Sequence, residues 1–68
     1  MQRFIAWLAK TRRSSKLGLY EAYDALVDEE YTLETLKEAL ISTPEEVWKV
    51  VTKGGIRMLI TVQNIRKF

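Results

Sequence analysis

The sequence contains no cysteine and no histidine. Those two absences exclude disulfide staples, thiolate and imidazole metal ligands, a Cys or His nucleophile and an imidazole general base. Ser14, Ser15 and Ser42 have no imidazole to activate them and no Gly-x-Ser-x-Gly turn around them, so no enzyme activity is expected. Asp28-Glu29-Glu30 lacks the alternating oxygen ligands and central glycine of a calcium loop. No cofactor, metal or small-molecule substrate is expected. No apolar run approaches the roughly 20 residues that cross a bilayer, and the start lacks a signal-peptide apolar block with a small-residue cleavage site. The expectation is a cytoplasmic or nuclear domain without membrane insertion. Sixty-eight residues leave room for a single domain, 1–68, whose core buries only about 60% of the unfolded surface.

Charge is present in quantity but unevenly placed. All nine acidic residues fall between positions 21 and 46, where Lys37 is the one base, so this block carries −8. Arg3, Lys10, Arg12, Arg13 and Lys16 give residues 1–20 a charge of +5, and Lys49, Lys53, Arg57, Arg66 and Lys67 give residues 47–68 another +5. The net +2 therefore hides a bipolar chain. If its ends fold together, one pole is basic and the other acidic, a field that favours a second copy or a charged partner.

Apolar periodicity predicts helices throughout. Phe4, Trp7 and Leu8 share one face of a first helix that should stop before Thr11. Residues 12–16 follow as a flexible basic link. A second helix from about Gly18 carries Leu19, Tyr20, Tyr23, Leu26 and Val27 inward and ends in an acidic elbow, Asp28-Glu29-Glu30. Thr32 is an N-cap, with Thr35 three residues on and Glu34 in the first turn, for a short helix turning Leu33, Leu36 and Leu40 inward. Thr43-Pro44-Glu45-Glu46 is the sharpest helix start, with Thr43 and Glu46 as a capping box, and it leads into Val47, Val50 and Val51. Gly54-Gly55 breaks this helix, and a last, longer one runs from about Gly55 to Phe68 with Met58, Leu59, Val62 and Ile65 on one arc. The β-branched residues of Val50-Val51 and Ile56–Val62 would allow a hairpin by propensity, but the Thr-Pro-Glu-Glu start and the helical polarity of the final stretch favour helix.

Trp7-Leu8, Leu17-Gly18-Leu19 followed by Tyr20 and Tyr23, the acidic link into Leu33 and Leu36, Thr43-Pro44-Glu45-Glu46-Val47, and Lys53-Gly54-Gly55-Ile56-Arg57 occur in that order. Together they resemble the sterile alpha motif (SAM) domain over essentially the whole chain. Three features depart from the family pattern: the stretch Thr11–Lys16 is longer, the usual glycine near Val50-Val51 is missing, and Ile65 and Phe68 fall one residue out of register after Ile60. The resemblance implies an all-α, compact five-helix bundle with a longer C-terminal helix. It also implies a protein-interaction module of a signalling or scaffold protein, one that binds itself or another SAM domain head to tail. Carried over by position, an acidic mid-loop surface would comprise Asp24, Asp28, Glu29, Glu30, Glu34 and Glu38. A basic end-helix surface would comprise Lys53, Gly54, Gly55, Ile56 and Arg57. Exposed charge pairs contribute little affinity, so an apolar anchor is needed. Trp48, at the edge of its helix's buried arc, is one candidate, either core edge or interface. Ile56 is the other: it either tucks into the core or awaits a partner.

Because some SAM domains bind RNA hairpins, the resemblance also implies an alternative, binding of an RNA hairpin or other nucleic acid through Lys53 and Arg57 with Arg12, Arg13, Lys49, Arg66 and Lys67 in support. The −8 block opposes it. Trp7, Tyr20 and Tyr23 read as core rather than as a stacking platform. Arg12-Arg13-Ser14-Ser15 matches a basophilic kinase substrate, which makes Ser15 a candidate phosphosite; the plainer reading is a basic linker.

Overall fold

In the computed structural model, which describes residues 1–12 and 16–68, the regular secondary structure of the described residues is all helical. The elements are α1 (Gln2–Thr11), α2 (Lys16–Asp28), α3 (Leu33–Ser42), α4 (Pro44–Val50), α5 (Gly54–Arg57) and α6 (Val62–Lys67). α2 packs against α1, α4 and α5, while α3 packs against α4 and α6. The folded chain exposes 4632 Å², about 40% of what an extended chain of 7.9 kDa presents.

α1 buries Phe4, Ile5, Leu8 and Ala9. It runs past the expected stop because the Thr11 hydroxyl donates to the Trp7 carbonyl at 2.8 Å, holding the last turn from within. α2 buries Gly18, Leu19, Ala22 and Leu26. Its inward face is thus rotated from the expected one: two small residues take the places assigned to Tyr20 and Val27, both of which are exposed. The basic link expected over 12–16 falls mainly on Arg13, Ser14 and Ser15, which lie outside the described residues; Lys16 already belongs to α2.

α2 ends as its acidic elbow requires. The Tyr31 amide donates to the Leu26 carbonyl and the Glu30 amide to that of Val27, both at 2.9 Å, which is the bond pair of a Schellman cap. Glu30 occupies the left-handed position at φ 63°, where glycine is the usual occupant because a Cβ costs energy. α3 opens on the capping box that Thr32 promised: the Thr35 amide donates to the Thr32 hydroxyl at 3.2 Å, and the Thr32 amide donates to the Thr35 hydroxyl at 2.7 Å. Leu36 is fully buried.

Two expectations are corrected. Thr43 makes no side-chain cap, and Glu46 instead reaches Lys49 at 3.5 Å. Thr43 is at once the C-cap of α3 and the N-cap of α4, and its φ −139°, ψ 63° departs from the extended backbone of a capping residue. The expected five-helix bundle with a longer C-terminal helix does not form either: the described residues make six helices, the last stretch being divided into α5 and α6. α4 gives way over Val51–Lys53, the glycine pair opens α5, and residues 58–61 interrupt the last stretch before α6. The interruption falls where β-branched Ile60 and Thr61 weaken the helix and where Thr61 can begin another, its hydroxyl accepting from the Asn64 amide at 3.1 Å. Met58 consequently stands 79% exposed, whereas Ile65, on the expected arc, is buried together with Ile56 and Ile60.

The chain ends meet. Phe68 stacks edge-on against Phe4, with ring centroids 5.6 Å apart, and lies 5.7 Å from the Trp7 ring. Arg12 donates to the side-chain oxygen of Asn64 at 2.7 Å.

Because Glu30 carries a Cβ in a left-handed position, Glu30→Gly is expected to raise stability by about 0.5–1 kcal/mol, the steric relief outweighing the added unfolded-state entropy. For a domain this small that is about 3–6 °C in a thermal melt followed by circular dichroism; a lower melting temperature would contradict the reading.

Candidate interaction surfaces

The acidic side is built from the end of α2, the elbow and α3. Asp24, Asp28, Glu29, Glu30, Glu34 and Glu38 are all exposed, and no ion pair to any of them is found among the described residues. At about 100° per residue, Glu34, Glu38 and Ile41 share one face of α3. Ile41 is 60% exposed.

The start of α5 is less free than its sequence implied. Arg57 is half-buried: its Nε donates to the Val51 carbonyl and its Nη2 to the Trp48 carbonyl, each at 2.7 Å, with the guanidinium 5.7 Å from the centre of the Trp48 ring. Those carbonyls belong to the end of α4, where helix carbonyls lose their intrahelical donors and where the dipole favours a cation. Arg57 therefore acts as a clamp joining α4 to α5. Trp48 is half-buried against the core and lies beneath that clamp. Ile56 is 5% exposed and packs in the core, which removes it as a surface anchor. Its side chain turns inward because α5 begins at Gly54 and sets its own register.

Lys53 remains exposed but pairs with Glu21 of α2 at 2.9 Å. Gly54 and Gly55 are exposed, and a Cβ built on either meets nothing within 4 Å. Lys53, Gly54 and Gly55 thus form an open edge. Behind it lies a cleft of about 80 Å³ between α2 and the α4–α5 connection. Ala22, Val51 and Ile56, all buried, form its depth, half-buried Val50 its side, and Glu21 and Lys53 its rim.

Sequence reasoning missed this cleft, since its walls come from three separate segments. It also missed the aromatic contact of Phe4 and Trp7 with Phe68, whose members stand at opposite ends of the chain. Tyr23 packs on the core as expected. Ser15 lies outside the described residues. No described helix is long and apolar enough to cross a membrane. No family model matches the chain, and no curated protein or solved structure matches it.

The two cations of the α5 region should behave differently. Arg57→Ala strands two helix-end carbonyls and is expected to cost about 1–3 kcal/mol in urea unfolding. Lys53→Ala, which removes an exposed pair, should cost no more than about 1 kcal/mol. Equal losses would show that Arg57 is not the clamp described.

Proposed function

We propose that the chain is a protein-interaction module of the SAM type, from a signalling or scaffold protein, that joins a second copy or another SAM domain head to tail. The carrying observation is the uncompensated acidic surface: six carboxylates crowd the α2 end, the elbow and α3 without a paired cation among the described residues. Such a surface favours a basic counterpart, and the open edge at Lys53, Gly54 and Gly55 provides one on the same molecule. The ordered motifs that resemble the SAM family support the same arrangement. Because the two patches differ, each bound copy leaves one patch of either sign free, so assembly extends into a ring or filament unless a face is blocked.

The start of α5 offers less to nucleic acid. Arg57, which that reading needs, already donates to the Val51 and Trp48 carbonyls, so phosphate would have to displace both bonds.

Sedimentation velocity tests the reading. The wild type should form larger species as concentration rises, and salt should reduce them. Glu30→Arg and Lys53→Glu should each remain monomeric, while an equimolar mixture of the two stops at dimers, since each variant keeps one competent face. A wild type that is monomeric at high protein and low salt sinks self-association.

A further inference from the structure

We infer that the cleft between α2 and the α4–α5 connection is a socket for an apolar side chain, and that its occupant is Ile41 of a second copy. This rests on the head-to-tail reading and supplies the anchor which that reading lacks. Ile56 is inside the core and Trp48 lies under Arg57, so neither sequence candidate is free to be that anchor.

The cleft has the chemistry of a side-chain socket. Its depth is aliphatic, from Ala22, Val51 and Ile56, and its rim carries the exposed Lys53–Glu21 pair. Its volume of about 80 Å³ exceeds the share of two waters, each about 30 Å³ in the liquid. Glu21, Thr52 and Lys53 offer polar groups at the edge, so it is in the aliphatic depth that an apolar side chain displaces water favourably.

Charge selects the occupant. The exposed large apolar side chains of the described residues are Leu17, Tyr20, Val27, Ile41, Met58 and Phe68. Phe68 is engaged with Phe4 and Trp7. Leu17 and Met58 neighbour Lys16 and Arg57 in the chain, and both flank residues that line or clamp the cleft region itself. Tyr20 carries a hydroxyl that an aliphatic recess would leave unpaired. Val27 and Ile41 remain, each among carboxylates. Ile41 is the larger and the more exposed, 60% against 47%. Its face also holds Glu38 one turn away, placed to take the exposed ammonium of Lys53 from Glu21 as the two copies meet. The contact joins two different patches, so it repeats from copy to copy.

The experiment combines sedimentation with cross-linking. Ile41→Ser should weaken association about tenfold or more, the effect of losing one buried aliphatic side chain, with an unchanged thermal melt because Ile41 is exposed. Val27→Ser should associate like the wild type. Since the chain has no cysteine, mixing Ile41→Cys with Thr52→Cys, the latter at the cleft wall, and oxidising should give a mixed disulfide dimer; such a bond needs Cβ atoms about 3.5–4.5 Å apart. The socket assignment is overturned, with the head-to-tail reading intact, if Ile41→Ser still assembles while Glu30→Arg and Lys53→Glu do not. It is equally overturned if Val27→Ser is the variant that fails, or if no mixed disulfide forms where the variants associate. A monomeric wild type overturns the socket assignment together with self-association, and leaves only the reading in which the partner is another SAM domain.

Discussion

The side chain of Asn64 holds together what the rest of this small fold takes for granted. It is 7% exposed and the one buried polar residue among those described. Its oxygen accepts from Arg12 and its amide donates to the Leu59 carbonyl, each at 2.7 Å, while its backbone amide is capped by Thr61. A buried amide with unmet bonds would be costly in a core of this size, and here each end has a partner. Those partners lie at the end of α1 and in the turn before α6. The network therefore ties the end of α1 to the turn before α6.

Stability and recognition draw on the same cations. Arg57 is given over to the carbonyls at the end of α4, and Lys53 is balanced by Glu21. No comparable internal partner restrains the carboxylates of the elbow and α3 among the described residues. The asymmetry makes the acidic surface the stronger electrostatic feature of the molecule, although the net charge is positive. The small residues of α2 matter as well: Gly18 and Ala22 are buried and line the recess between α2 and the α4–α5 connection.

Much of the fold was legible because it is local. The Thr32–Thr35 cap, the proline that opens α4 and the burial of Phe4 and Leu8 in α1 follow from patterns spanning three or four residues. Reading failed where distant contacts decide. The inward face of α2 was misplaced because Gly18 and Ala22 add little apolar weight to a periodicity, yet close packing selects them. The last helix was read as continuous although Thr61, three residues before Asn64, was a signal for a new start. Of the site, the acidic cluster was visible from composition alone. The clamp formed by Arg57 was not, since its acceptors are backbone carbonyls six and nine residues away and no side-chain pattern announces them.

The stacking of Phe68 on Phe4 and Trp7 has an architectural consequence. It brings the first and last helices to one side of the domain, so that polypeptide attached at either end departs from neighbouring points. Segments with adjacent ends can be spliced into a surface loop of a host with little disturbance, or rejoined by a short linker and reopened elsewhere. The fold is thus suited to serve as an inserted module as readily as a link in a linear string.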